Sequence, residues 1–200
     1  MSEKKILWVD ERTSDYVNRK WDFREAIESR SLELVVCGEG RSVGMQQRAV
    51  TCNKAFYGKL CQAVSDEDVD NILGFIIDVN MPIDDLAIYS ERLQSISTSG
   101  GAYTGFKVAQ FVLNNHRRNL SPFGNCYRDK PILFLSISGY HLDGNTSWMG
   151  GEYTDYDQTA SFTKYTHLQK SVIRKSMRDA IKQWADFVNT FSTDSVLVQE

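Results

Sequence analysis

Three short, unbroken apolar runs stand out from an otherwise polar chain: Ile6-Leu7-Trp8-Val9, Ile72-Leu73-Gly74-Phe75-Ile76-Ile77 and Ile132-Leu133-Phe134-Leu135. Apolar runs that do not alternate predict strands buried on both faces, as in a parallel sheet covered by helices. Each run ends on a polar residue: Asp10, Asp78 and Ser136 in turn. Leu32 to Cys37 predicts a fourth strand, and Ala160 to Lys164 a weaker fifth. Between them, apolar positions recur at helical steps. Tyr16, Trp21, Phe23, Ala26 and Ile27 mark one helical stretch, and Val50, Phe56, Leu60 and Val64 a second, from about Val43 to Val64. Phe106, Ala109, Val112 and Leu113 mark a third, over Gly105 to Asn115. The longest stripe runs through Leu168, Val172, Ile173, Met177, Ile181, Trp184, Val188 and Phe191 and predicts a C-terminal helix over about 166–191. Strand and helix alternating in this way predict a doubly wound α/β sheet in a single domain spanning 1–200. Two stretches, about 83–104 and 139–159, break the alternation. Both follow strand ends and are expected as insertion loops around the crevice where such sheets bind ligands.

Composition narrows the function classes. With 42% hydrophobic residues in 200, the chain can build a real core, burying roughly 70% of its unfolded surface. The net charge of −3, with no run of five like charges, excludes a strong non-specific grip on nucleic acid. No stretch has the ~20 apolar residues of a membrane span, and no secretory signal precedes Asp10, so a cytoplasmic protein is expected. Cys37, Cys52, Cys61 and Cys126 have no metal-ligand spacing and are expected as ordinary thiols. His116, His141 and His167 are scattered and are expected to be structural or exposed.

The chemistry lies in strand ends that match one another. Asp10 and Glu11 follow the first strand, and Asp78 opens Asp78-Val79-Asn80-Met81-Pro82 after the central one. Thr104-Gly105-Phe106 begins a helix, Ser136 ends the next strand, and Phe162-Thr163-Lys164 closes the last. These five segments, in this order, resemble the receiver domain of two-component response regulators. The resemblance implies a flavodoxin-like, five-stranded sheet of order 2-1-3-4-5. It implies that Asp78 accepts a phosphoryl group from a histidine kinase or phosphotransfer protein, with Lys164 and Ser136 contacting that group. Magnesium would be held by Asp10, Glu11, Asp78 and the main-chain carbonyl of Asn80. The residue types agree: three crowded carboxylates repel, at ~4 Å by about 4 kcal/mol per pair for an effective dielectric near 20. A hard divalent cation removes that conflict.

Several features depart from the family. Glu11 stands where Asp is usual, Tyr165 rather than Pro follows Lys164, and twenty-two residues separate Pro82 from Gly105. Ser161 falls where a switch aromatic is expected, with Phe162, Tyr153 and Tyr156 as alternatives. Only Ser192 to Glu200 follow Phe191, so output is expected through an unknown downstream protein rather than through DNA. The exposed side of the C-terminal helix leaves room for a homodimer contact. No enzymatic activity is expected beyond the chain's own phosphorylation and dephosphorylation. A pseudo-receiver that binds partners without phosphotransfer is the alternative. A phosphohydrolase of the haloacid dehalogenase type would need a second acid two residues after Asp78, where Asn80 stands.

Overall fold

The computed structural model describes residues 3–12, 23–37, 44–116, 119–136, 146–156, 161–170 and 174–194. Ser138, His141, Tyr16, Trp21, Val43, Val172 and Ile173 lie outside them. The strands are β1 (Lys5–Val9), β2 (Glu33–Cys37), β3 (Ile72–Asp78), β4 (Ile132–Ser136), β5 (Tyr153–Asp155) and β6 (Tyr165–Gln169). The helices are α1 (Phe23–Glu28), α2 (Met45–Ser65), α3 (Thr104–Lys107), which runs on into a π-helical segment Val108–Leu113, and α4 (Arg174–Asp194). None of the described helices is long and apolar enough to cross a membrane.

All strand pairs are parallel, in the order β2-β1-β3-β4-β6-β5. The α/β expectation holds, but the five-stranded count does not. The stretch expected as a fifth strand, Ala160 to Lys164, has no strand among its described residues. The strand beside β4 is β6, which begins one residue after Lys164, and the short β5 extends the sheet beyond it. Polarity hid β6: Tyr165-Thr166-His167-Leu168-Gln169 has no apolar run, although its first four residues are buried. Leu168, expected on the C-terminal helix, is a strand residue, and α4 begins only at Arg174.

Alternate residues of each central strand feed opposite cores. Leu7, Val9, Phe75, Ile77 and Phe134 pack against Cys52, Phe56 and Leu60 of α2 and Phe106 and Val112 of the α3 segment. Ile6, Trp8, Leu73, Ile76, Leu133 and Leu135 pack against Phe23 and Ile27 of α1 and Met177, Ile181 and Trp184 of α4. This double burial is why the strands read as continuous apolar runs.

The 83–104 insertion is a packed flap. Its Leu86, Tyr89 and Leu93 are buried in the α2-side core. The Tyr89 hydroxyl donates to Asn53 Oδ1 on α2, and the Thr98 hydroxyl to the Ile83 carbonyl. Of the 139–159 loop, residues 146–156 are described, and they hold a 3-10 segment (Ser147–Glu152) followed by β5.

At the start of α3 a side chain would have no room. A Cβ on Gly105 would lie 2.3 Å from the Asp78 carbonyl oxygen, whereas one on Gly58, exposed on α2, meets nothing within 4 Å. Gly105→Ala is therefore expected to destabilise by roughly 1–3 kcal/mol, the usual effect of overpacking. Gly58→Ala is expected to stabilise by up to about 1 kcal/mol through helix propensity. Urea unfolding midpoints that move in the same direction for both would contradict this assignment.

Candidate functional site

The C-terminal ends of β1, β3, β4 and β6 share one edge of the sheet because all four run the same way. That edge gathers Asp10, Glu11, Asp78 and Ser136, all buried. One ligand oxygen each from Asp10, Glu11 and Asp78 lies within 4.8 Å of the others. Asp10 Oδ1 accepts the Arg12 main-chain N–H at 2.7 Å. Asp78 Oδ1 accepts the Asn80 main-chain N–H at 3.1 Å. The Asn80 side chain donates to the Ala102 carbonyl at 2.9 Å, tying the loop after Asp78 to the flap. The Thr104 hydroxyl donates to the Met81 carbonyl at 2.6 Å, and the Gly105 N–H to the Val79 carbonyl at 3.1 Å.

Two cations face the acids: the Arg12 guanidinium lies 3.6 Å from Glu11 Oε1, and the buried one is Lys170. Its Nζ lies 2.9 Å from Asp10 Oδ2 and 2.8 Å from Asp78 Oδ2, and its side chain is 3% exposed. Its main-chain N–H donates to the Ser136 carbonyl at 2.6 Å, which seats Ser136 between the Asp78 and Lys170 strand ends. Lys164, expected here, lies at the opposite edge. Its carbonyl accepts from Ile132, the first residue of β4, and its ammonium faces Asp129 at 3.7 Å and Glu152 at 3.8 Å. The five residues of β6 separate the two lysines, six steps that span ~20 Å at about 3.3 Å per residue. The signal for Lys170 was a basic residue just after a strand rich in Tyr and Thr, which favour strands even without an apolar run.

Moving the lysine also moves the position expected for the aromatic. The offset that points from Lys164 to Ser161 points from Lys170 to His167. His167 is buried, its Nε2 is 2.7 Å from Ser136 Oγ, and its Nδ1 is 2.7 Å from Asp155 Oδ1. The sequence offered His167 only as structural or exposed, and did not single out Asp155.

One ammonium does not balance three carboxylates, and the acids respond. Burial, with Asp78 and Asp10 nearby, pushes Glu11 up to about 8. Burial also lifts Asp10, to about 6, although the Lys170 ammonium pulls it back down. Glu11 Oε2 and Asn80 Oδ1 are buried without a hydrogen-bond partner, and Asp78 Oδ2 has the Lys170 ion pair but no hydrogen bond. An orphaned Glu11 oxygen beside the Asp10 and Asp78 carboxylates suits a small, hard divalent cation such as magnesium. No family model matches the chain, and no curated protein is significantly similar to it.

The raised acids fix the sign of a pH effect. Unfolded, Glu11 and Asp10 would release their protons near 4.5 and 3.8; folded, they hold them to about 8 and about 6. As pH rises through that window the folded state binds more protons than the unfolded one, so stability falls with pH and levels off above about 8. The metal-free protein is expected to lose Tm from pH 5 to pH 8. Magnesium, which must displace the Glu11 proton, is expected to restore more Tm at pH 8 than at pH 6. Thermal scans with EDTA and with magnesium at both pH values check this.

Proposed function

We propose that this chain is a phosphoacceptor receiver, carrying its signal on Asp78 through magnesium-dependent phosphorylation in the cytoplasm. The observation that carries this reading is the Lys170 ammonium within 3 Å of both Asp10 and Asp78, with Glu11 completing the acid cluster. An Asp78 carboxylate oxygen attacks the phosphorus of a donor, a histidine kinase or phosphotransfer protein. The donor's leaving group departs with its electron pair, and an acyl phosphate forms. Bound magnesium would be held by Asp10, Glu11 and Asp78, with the Asn80 carbonyl as a further ligand, and would supply charge neutralisation for the incoming phosphoryl oxygens. Lys170, freed from its double ion pair, turns to those oxygens as a compact cation. Ser136 supplies a hydroxyl at the same strand edge. Output passes through contacts with a downstream protein.

The same ammonium supports a second reading. Lys170 already stands between two of the acids, so the protein could keep the fold as a pseudo-receiver with the lysine as its permanent counterion. The two readings differ in metal binding and acyl phosphate formation. Incubation with magnesium and acetyl phosphate is expected to add one phosphoryl group by intact mass, and hydroxylamine to remove it. Asp78→Asn is expected to abolish the addition, and Lys170→Met to slow it by at least tenfold. Lys164→Met is expected to leave it unchanged. A wild type that stays unmodified and binds no magnesium would sink the first reading in favour of the second.

A further inference from the structure

A line of hydrogen bonds crosses three strands beside the acid cluster. Ser136 Oγ on β4 lies 2.7 Å from His167 Nε2 on β6, and His167 Nδ1 lies 2.7 Å from Asp155 Oδ1 on β5. The Tyr153 hydroxyl, also on β5, donates to the same Asp155 oxygen at 2.8 Å. Ser136 is fully buried and His167 is 6% exposed, while the Asp155 side chain is 66% exposed. The line therefore connects a buried hydroxyl at the strand edge of Asp78 to a carboxylate in water.

We propose that His167, held by Asp155, is a positioning residue that sets the direction of the Ser136 hydroxyl, and that a phosphoryl group on Asp78 reverses the hydrogen bond between them. This rests on the phosphoacceptor reading above. The donor roles follow from chemistry. A carboxylate only accepts, so Nδ1 carries the hydrogen toward Asp155. In the neutral ring Nε2 then accepts, and the Ser136 hydrogen points at His167. That hydrogen cannot also serve a phosphoryl oxygen. When Ser136 turns it to the phosphoryl group, its oxygen lone pair faces Nε2, and the line stays satisfied only if Nε2 gains a hydrogen. The ring takes up one proton from solvent, and Asp155 stabilises the resulting cation. Among the described residues, the charged and titratable groups along the line are Asp155 and Tyr153 on β5 and Lys170, whose main-chain N–H sits on the Ser136 carbonyl.

Loading Asp78 is thus coupled to one proton at a residue outside the metal ligands. A phosphoryl mimic then binds more tightly as pH falls, by up to about tenfold per unit. The acid cluster pulls the other way, so the effect is read as the difference between wild type and variants at saturating magnesium. The probe is beryllofluoride with the full-length chain. Wild type is compared with Asp155→Asn, an exposed change that leaves folding intact, and with His167→Gln and Ser136→Ala.

The expected result is a pH-dependent gap between wild type and His167→Gln that vanishes in the Ser136→Ala background. Asp155→Asn should weaken beryllofluoride binding by roughly threefold to tenfold at the acidic end. Nitrogen chemical shifts of His167 should show Nε2 bare in the free protein and protonated once loaded. Equal loss at every pH, as damaged packing would give, overturns the proposal. So does an Nε2 that stays bare on loading, or covalent labelling of Ser136 by a fluorophosphonate, which would make it a nucleophile. A wild type that takes up no beryllofluoride overturns the phosphoacceptor reading and this inference with it. Uptake without the His167 effects overturns this inference alone.

Discussion

The buried ammonium of Lys170 governs the arrangement around it. Asp10 and Asp78 are fully buried, and taking two carboxylates out of water without a partner would be prohibitive. Lys170 meets both within 3 Å and so ties the end of β6 to the ends of β1 and β3, across a chain separation of 160 residues from Asp10. Deleting one member of such a cluster typically costs about 3–5 kcal/mol, because the others stay buried and uncompensated. The compensation is incomplete all the same. Glu11 is held in its protonated form up to about 8, chiefly by burial, and keeps one oxygen without a partner. A single ammonium and one retained proton offset two of the three carboxylates at neutral pH, and one negative charge is left over. A dication can replace the proton and let the lysine move.

The long insertion after Pro82 makes sense against that demand. Closing a longer loop costs little extra entropy, about 0.6 kcal/mol for each doubling. The flap is anchored by its own apolar residues, Leu86, Tyr89 and Leu93. Its far end supplies the groups that fix the Asp78 loop: the Ala102 carbonyl for Asn80, the Thr104 hydroxyl for Met81 and the Gly105 N–H for Val79. Gly105 has to be glycine because α3 starts against the Asp78 carbonyl. Under the phosphoacceptor reading proposed above, a carboxylate that meets phosphorus in line benefits from a backbone that does not wander.

Much of this was legible in the sequence. Strands buried on both faces announce themselves as apolar runs, and β1, β3 and β4 fall within a residue of where the pattern put them. Their polar terminators, Asp10, Asp78 and Ser136, share one edge because the strands are parallel. The last strand was illegible by the same rule. Its apolar residues are only Tyr165 and Leu168, and Leu168 also fits a helical stripe toward Met177. The lysine was therefore sought one strand-length too early, and Lys164 proved to be a half-buried cation at the wrong edge, beside Asp129 and Glu152. No local pattern could have found Asp155, whose role depends on a three-residue strand added beyond β6.

The added strand and the polarity of β6 have one cause. A strand buried on both faces normally excludes groups that need hydrogen bonds, yet β6 buries Thr166 and His167. Thr166 is satisfied locally: its hydroxyl donates to the Thr163 carbonyl and accepts the Thr163 N–H. His167 has no such local solution. One ring nitrogen meets Ser136 on β4, and the other needs an acceptor from the far side. β5 pairs in register there, with Asp155 opposite His167, and the Tyr156 N–H just beyond it donates to the His167 carbonyl. Without β5 the ring would keep a buried donor with no partner, at a cost of about 1–3 kcal/mol. The sixth strand is the condition under which a histidine can stand in β6 at all, and the same histidine is why that strand does not look like one.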